Sequence, residues 1–258
     1  MKIGIFDSGL GGLWILSHLK NLLPEYDYVF LADQAYVPYG NKTKEELFER
    51  ATKILKQLYE LESCSVVLIA CNTNSTSIYN ELKIWVKENY SNKELWGIVK
   101  PTIESIPKDS NTVFFGTHRT IDSHVYKNEF NSISNANVLE IELPKLASMI
   151  EEGEPCEEYL KSFNNSIDDD CVGVLVCTHY GIVRSDFKNA FPNIKKWIYQ
   201  EDIIPNYIKQ YLEENPSKEE GFSKNKTIKI LVTKENLIFN KFLSLWFEKG
   251  IKSNFINL

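Results

Sequence analysis

The chain has 258 residues, enough to bury a substantial core as one large domain or two small ones. Its composition is 43% hydrophobic and 25% charged, and its net charge of −6 gives no electrostatic reason to expect nucleic acid or an anionic membrane surface as a partner. No apolar run approaches the roughly 20 residues that span a bilayer, and the N-terminal "MKIGIFDSG" is unlike a secretory signal, so we expect a cytoplasmic protein without a membrane segment.

Strand-like apolar runs alternate with amphipathic, helix-like segments along the chain. This order predicts an α/β fold with mainly parallel sheets. The runs "SVVLIA" and "VGVLV" are apolar without alternation, as expected for strands that helices cover on both faces. The predicted strands are 2–6, 28–32, 65–70 and 95–99 in a first unit, 112–116, 137–143, 172–176 and 196–199 in a second, and 228–233 before a last helix around 236–250.

Residues 43–62 form the clearest predicted helix, because leucine, isoleucine and alanine recur along one face. Thr43 and Glu46 at its start fit a capping box. The polar segment 213–227 is predicted to be a solvated connector, and the acidic run Asp168–Asp170 a solvated turn.

The two halves of the chain are similar in outline. Each opens with a strand and a small polar turn containing glycine ("FDSGLGG" and "FGTHRT"), and each has a buried strand that ends in cysteine ("ACNT" and "VCTH"). Ligands of parallel sheets bind at the carboxyl ends of strands, so two such units that face each other predict a cleft for a small polar ligand. The side chains at these ends are Asp7, Ser8, Asn72, Thr73, Thr117, Thr120, Thr178 and His179.

Cys71 and Cys177 end the two buried strands. Inversion of a stereocentre by proton exchange needs a base on one face of the carbon and an acid on the other, and two thiols can supply both once a neighbour favours the thiolate. His179 lies two residues from Cys177, and Asp7 follows the first strand, so each can assist a thiol. The pattern predicts a two-base isomerase.

Other roles stay open at this point. A cysteine at a strand end is often a small buried hydrophobic residue, the interpretation we adopt for the other three cysteines. A Cys–His hydrolase with Cys177 as nucleophile would leave Cys71 without a role, and a binding protein could keep the pocket without turnover. Neither CxxC nor HExxH occurs, and Trp14 stands where a dinucleotide fingerprint needs its third glycine, so no metal and no cofactor are expected.

The motifs resemble those of the cofactor-independent glutamate racemases. The matching blocks, in the family's order and spacing, are "IGIFDSGLGG" (3–12), "ADQAYVPYG" (32–40), "ACNTNS" (70–75), "GTHRTIDSHVY" (116–126), "LPKLASMIEEG" (143–153) and "CTHY" (177–180). The segment "VTKENLIFNKFLSLWF" near the C-terminus is similar too, so the resemblance covers nearly the whole chain.

The resemblance implies two pseudo-symmetric α/β domains, residues 1–98 plus 208–258 and residues 99–207, with the active site in the cleft between them. It implies that Cys71 and Cys177 are acid/base thiols on opposite faces of the α-carbon of glutamate. Asp7 would assist Cys71. His179 would assist Cys177, with Glu151 tuning the imidazole. The positions that match the family's substrate contacts are Asp7, Ser8, Tyr39, Gly40, Asn72, Thr73, Thr117, Thr120 and Thr178.

The implied activity is the interconversion of L- and D-glutamate, which would supply D-glutamate for the peptidoglycan of a bacterial cell wall. A homodimer is left open. Racemases of aspartate or hydantoins are the nearest alternatives within the superfamily. Aspartate racemases usually carry glutamate where His179 stands and lack "FDSGxGG", which favours glutamate as the substrate.

Five residues depart from the family's pattern, among them Asn74 where alanine is usual and Lys100 where an acidic residue is usual. Gly181 follows "CTHY" where proline is usual, Val176 precedes the second cysteine where glycine is usual, and Arg119 replaces a small residue. None of the five removes a predicted catalytic group. Two positions are open for Arg119: against the distal carboxylate of the substrate, or in solvent.

Overall fold

The computed structural model describes residues 1–164, 167 and 170–258. Asp168 and Asp169 of the predicted acidic turn therefore lie outside the described residues. The strands within these ranges are Lys2–Asp7 (β1), Tyr28–Ala32 (β2), Cys64–Ile69 (β3), Glu94–Gly97 (β4), Thr112–Gly116 (β5), Val138–Glu142 (β6), Val172–Leu175 (β7), Lys196–Ile198 (β8), Ile228–Val232 (β9) and Ser253–Phe255 (β10).

Helices connect the strands and cover both sheets. They are Leu10–Leu22 (α1), Lys44–Lys56 (α2), Asn72–Ser77 (α3), Tyr79–Asn89 (α4), Val99–Glu104 (α5), His118–Asp122 (α6), Val125–Asn131 (α7), Leu146–Glu152 (α8), Glu157–Lys161 (α9), Arg184–Ala190 (α10), Gln200–Glu214 (α11), Pro216–Glu219 (α12) and Leu237–Trp246 (α13). Two 3₁₀ turns, Tyr39–Asn41 and Tyr180–Val183, lie between them.

The strands form two sheets in which every described pair of neighbours is parallel. The first sheet has the order β10-β9-β2-β1-β3-β4 and the second has the order β6-β5-β7-β8. The segment β2-β1-β3-β4 of the first sheet and the whole second sheet therefore have the same strand order. This confirms the predicted pair of pseudo-symmetric α/β units, with the C-terminal strands β9 and β10 extending the first.

The unbroken apolar runs are explained by cores on both faces of each sheet. In β3, Val66 and Leu68 pack into one core, whereas Val67 and Ile69 pack into the other. In β7, Val174 and Leu175 likewise enter different cores. Because successive side chains of a strand point to opposite faces, a strand covered on both sides needs apolar residues at every position.

The predicted helix 43–62 begins where the sequence places it. The Thr43 hydroxyl accepts a hydrogen bond from the Glu46 N–H, and the Glu46 carboxylate accepts one from the Thr43 N–H at 2.7 Å, which completes the capping box. The α-helix ends at Lys56 and continues as a π-helical turn, Gln57–Leu61. The predicted connector 213–227 is only partly irregular, because it contains α12.

Helix α11 passes the predicted domain boundary between residues 207 and 208. Its residues Ile204, Ile208 and Leu212 pack with Leu13 and Leu16 of α1 in a core of the first sheet. The helix begins directly after β8 of the second sheet, so it joins the two units without an irregular linker. The boundary at residue 207 stays a prediction.

Candidate active site

The carboxyl ends of the central strands of both sheets face one cavity of about 630 Å³. This volume lies within the usual range for small-molecule sites, about 300–1,000 Å³. The predicted site residues that line it are Ser8, Tyr39, Gly40, Cys71, Asn72, Thr73, Thr117, Glu151, Cys177, Thr178 and His179. Asp7 and Thr120 lie behind this lining and are almost completely buried.

Asp7 connects the two halves of the molecule. It is the last residue of β1 and is fully buried. Its carboxylate accepts hydrogen bonds from the Gly9 N–H at 3.0 Å and from the Thr178 hydroxyl, which belongs to the other half, at 3.2 Å. Burial raises the pKa of Asp7, although the nearby His179 and the Gly9 N–H oppose the rise. A carboxyl group with a raised pKa can hold or release a proton closer to neutral pH than an exposed one.

His179 stands between Cys177 and Glu151. Its Nδ1 lies 3.8 Å from Cys177 Sγ, and its Nε2 lies 2.6 Å from Glu151 Oε1. Burial lowers the pKa of His179, but the contacts with Cys177 and Glu151 outweigh it and raise the pKa well above its usual value. The same Glu151 oxygen accepts the N–H of Leu10, the first residue of α1, at 2.6 Å. Glu151 therefore orients the imidazole and ties α8 to the other half of the molecule.

Cys71 lies two residues after β3, at the start of α3, and is 6% exposed. Burial raises its thiol pKa strongly, and the negative charge of Asp7 raises it further. The N–H groups of Asn74 and Thr73 at the start of α3 lower it in part. Cys71 is therefore a protonated thiol near neutral pH, suited to donate a proton before it accepts one.

Three glycines of "FDSGLGG" let the two halves approach each other and the first helix approach its own sheet. A Cβ added at Gly9 would stand 2.0 Å from Glu151 Oε1, and one at Gly11 would stand 2.2 Å from Thr178 Oγ1. A Cβ at Gly12 would stand 2.2 Å from the Cβ of Asp7. Contacts this short cannot accommodate a side chain, so glycine is required here for space rather than for an unusual backbone conformation.

A buried hydrogen-bond network occupies the side chain of Asn72. Its amide donates to Gln200 Oε1 at 2.8 Å and its carbonyl oxygen accepts the hydroxyl of Tyr126. Gln200 Nε2 in turn lies 3.1 Å from Thr102 Oγ1. Because these hydrogen bonds engage the side chain, the predicted contact of Asn72 with substrate would be made by its main chain. Tyr126 falls in a recognised sequence block, whereas nothing near Gln200 in the sequence pointed to this role.

Tyr39 lines the cavity with its ring and is held from behind by an ion pair. Its hydroxyl donates to Asp33 Oδ2 at 2.7 Å. Arg50 binds both oxygens of the Asp33 carboxylate, at 2.8 and 2.6 Å, and the Thr233 hydroxyl donates to the same group at 2.8 Å. Asp33 is 0% exposed, so these donors replace the water that its charge would otherwise require. The sequence analysis did not identify this cluster.

Arg119 bonds to the main chain of a loop that lines the cavity. Its Nε donates to the carbonyl oxygen of Gly40 at 3.2 Å, and its Nη2 donates to the carbonyl oxygen of Lys42. The prediction of a solvated side chain was therefore wrong, and the contact with the distal carboxylate of the substrate stays a prediction. On the same helix, the Thr117 hydroxyl donates to Thr120 Oγ1 at 3.0 Å, which places Thr120 behind Thr117 relative to the cavity.

Two further departures, Gly181 and Val176, lie in tightly packed surroundings. A Cβ at Gly181 would stand 2.3 Å from a carboxylate oxygen of the buried Glu201, so a larger residue there would require the Glu201 side chain to shift. Val176 is fully buried in a core of the second sheet, and one of its methyl groups lies 3.1 Å from where a Cβ of Gly116 would be. Neither residue lines the cavity.

The described residues contain neither a helix suited to span a membrane nor a cluster of side chains suited to bind a metal ion. No helix there is both long and apolar enough to cross a bilayer. The same residues contain no cluster of three or more His, Cys, Asp or Glu side chains arranged to hold a metal ion.

The fold is that of a known class of isomerases. The crystal structure of glutamate racemase from Francisella tularensis in complex with D-glutamate matches this chain with a TM-score of 0.84 and 25% identity, over 99% of this chain and 97% of that one. With two parallel sheets of matching strand order and a cleft lined from both, the protein is an amino-acid racemase of the aspartate/glutamate racemase fold.

Proteins of similar sequence show which family of amino-acid racemases the chain belongs to. No protein-family model matches the chain. It is 35% identical over 207 residues to a glutamate racemase of Fusobacterium nucleatum, covering 75% of this chain and 74% of the relative. It is 32% identical over 253 residues to one from Phenylobacterium zucineum, covering 86% and 89%. The chain therefore belongs to the glutamate racemase family, which confirms the predicted resemblance.

Proposed function

We propose that this protein interconverts L- and D-glutamate by a two-base proton transfer, with Cys71 and Cys177 on opposite faces of the α-carbon. The observation that carries the proposal is that both thiols line one cavity, each after a central strand of a different sheet. The thiolate of one cysteine removes the α-proton, the electron pair stays on the carbon, and the thiol of the other cysteine protonates the opposite face. The two sulfurs thereby exchange protonation states, and the reverse reaction restores them.

Each thiol has its own partner in this scheme. Asp7 contributes to the raised pKa of Cys71 and has a raised pKa itself, so the two groups can share a proton inside the buried site. His179, whose Nε2 lies 2.6 Å from Glu151 Oε1, faces Cys177 Sγ with its Nδ1 at 3.8 Å and can pass a proton to or from that sulfur. Glu151 acts as a positioning residue through His179. Because the two thiols supply both proton transfers, the reaction needs no cofactor.

Glutamate has two carboxylates, which accept hydrogen bonds from neutral donors, and one ammonium group, which needs an acceptor. We assign the ammonium group to Asp7, which offers a buried negative charge, and the carboxylates to hydroxyl and backbone N–H groups. Thr120 positions the side chain of Thr117, and Asn72 contributes its main-chain N–H. The residues proposed to hold the substrate are Ser8, Tyr39, Gly40, Asn72, Thr73, Thr117, Thr120 and Thr178 together with Asp7.

The proposed role is to supply D-glutamate for peptidoglycan, as the family resemblance implies. The mechanism requires both cysteines as thiols, which suits the reducing cytoplasm. We further propose that residues 1–98 plus 208–258 and residues 99–207 are the two domains that form the cleft. A homodimer stays a prediction.

Proton NMR in D₂O tests this function. When L- or D-glutamate is incubated with the protein, the α-proton signal should disappear and the optical rotation should fall to zero. Both changes should persist after treatment with EDTA and after dialysis that removes small cofactors. Binding of glutamate without exchange from either enantiomer would refute the enzymatic function and leave a binding protein.

A further inference from the structure

A loop of the first unit forms one wall of the cavity. Tyr39, Gly40 and Asn41 line it, and the loop is fastened at both ends within its own unit. At one end the hydroxyl of Tyr39 binds Asp33, and at the other end Thr43 caps helix α2. The stretch between these two anchors is a 3₁₀ turn, closed by a hydrogen bond from the Lys42 N–H to the Tyr39 carbonyl oxygen at 3.1 Å, and the Lys42 ammonium lies 4.4 Å from the centre of the Tyr36 ring.

Arg119 holds this middle stretch from the opposite side of the cleft. It lies on α6, which follows β5 of the second sheet, and its half-buried guanidinium donates to the carbonyl oxygens of Gly40 and Lys42. The planar guanidinium presents Nε and Nη2 along one edge, so it can bind two carbonyl groups together in a way that an ammonium group cannot. Arg119 itself does not line the cavity.

The helix that carries Arg119 also carries part of the opposite wall. Thr117 directly precedes α6 and lines the cavity, and its hydroxyl donates to Thr120 Oγ1 at 3.0 Å. The two hydrogen bonds from Arg119 therefore join the wall that carries Thr117 to the wall that carries Gly40. A glutamate held by both walls would need them to stay joined while it is bound.

We propose that Arg119 is a positioning residue that latches the Tyr39–Lys42 loop onto the second unit when the cleft is closed around substrate. The expected effect on the kinetics of racemisation rests on the proposed function. The latch itself rests only on the hydrogen bonds from Arg119 to the carbonyl oxygens of Gly40 and Lys42. The latch must release for glutamate to enter or leave. Its loss should therefore weaken substrate binding more than it slows proton transfer at the cysteines.

Limited proteolysis tests the latch without any assay of activity. Lys42 is half-buried and its carbonyl oxygen accepts a hydrogen bond from Arg119, so trypsin should cut after Lys42 faster when the loop leaves the second unit, and the initial rate of cleavage between Lys42 and Thr43 reports release. In Arg119→Ala this rate should rise about tenfold, the effect of about 1.4 kcal/mol. Arg184→Ala is the matched control, because Arg184 is an exposed arginine of the same unit, and cleavage should stay at the wild-type rate.

Steady-state kinetics test the consequence for the reaction. The KM for glutamate should rise about tenfold in Arg119→Ala while kcat changes less than about threefold, with Arg119→Lys between the two proteins. A raised KM with unchanged cleavage would overturn the latch, because Arg119 would then act on the substrate itself. Faster cleavage with an unchanged KM would overturn its positioning role.

Two safeguards keep these results interpretable. Thermal unfolding of both Arg119 variants checks that each is folded. If Arg119→Ala is not folded, Arg119→Lys takes its place in both experiments. If the wild-type protein fails to racemise glutamate, the proposed function is wrong, whereas the cleavage rates still decide whether Arg119 fastens the loop.

Discussion

Replacement of Glu151 by glutamine should uncouple His179 from the rest of the site. Glu151 Oε1 lies 2.6 Å from His179 Nε2, and the Glu151 side chain is 21% exposed. A hydrogen bond between charged groups at such a site contributes about 1.5–3 kcal/mol. Glutamine preserves an acceptor for the Leu10 N–H, so the change removes the charge and little else. We expect the pKa of His179 to fall, because one of the contacts that raise it is lost.

The pH dependence of the free energy of unfolding shows whether the Glu151–His179 pair stabilises the folded protein. The folded-state pKa of His179 is raised, because its contacts with Cys177 and Glu151 outweigh burial. A raised folded-state pKa adds stability that is fully present below the unfolded value, about 6.5, and is lost as the pH rises through the folded value. The loss of stability in Glu151→Gln should therefore be about 2 kcal/mol near pH 5.5–6 and should shrink at higher pH.

Urea unfolding at a series of pH values measures this difference. Glu154→Gln is the control, because Glu154 is an exposed carboxylate two residues beyond the end of α8, and it should show no such trend. The kcat/KM of Glu151→Gln should also fall about 10- to 100-fold, through weaker support of proton transfer at Cys177. A loss of stability that is the same from pH 5.5 to 9 would show that the pair with His179 is not its source.

The enantiomers of glutamate have equal free energies, so kcat/KM must be equal in both directions for every variant, and racemisation alone cannot assign the thiols. In Cys71→Ser and Cys177→Ser racemisation should fall by about 10²–10⁴-fold. Elimination from a glutamate analogue with a leaving group on its β-carbon needs only one base. This elimination should therefore survive in both variants, but for opposite enantiomers of the analogue. Survival for the same enantiomer in both would refute the two-base assignment. Gly9→Ala should lose about 1–3 kcal/mol of stability in urea unfolding, because its Cβ would stand 2.0 Å from Glu151 Oε1. Gly40→Ala, whose Cβ would meet no atom within 4 Å, should keep wild-type stability, and equal losses in both would contradict the steric argument.

Features that depend on neighbouring residues could be predicted from the sequence. The strands β3 and β7 are recognisable because each is covered on both faces and so is apolar at every position. The capping box of Thr43 and Glu46 involves residues three apart, and the structure contains both of its hydrogen bonds. Strand β10 was missed because its three residues lie at an edge of the sheet, where they are partly exposed and need no apolar pattern.

The roles of polar residues that meet across the cleft were decided only by the tertiary structure. Gln200 and Asn72 are 128 positions apart, and Arg119 lies 79 positions from Gly40. A side chain that can donate to a substrate, to solvent or to a distant carbonyl group has the same appearance in the sequence in each case. For Arg119 the outcome was set by the distance between the two units, a property of how their cores pack and not of the residues around it in the chain.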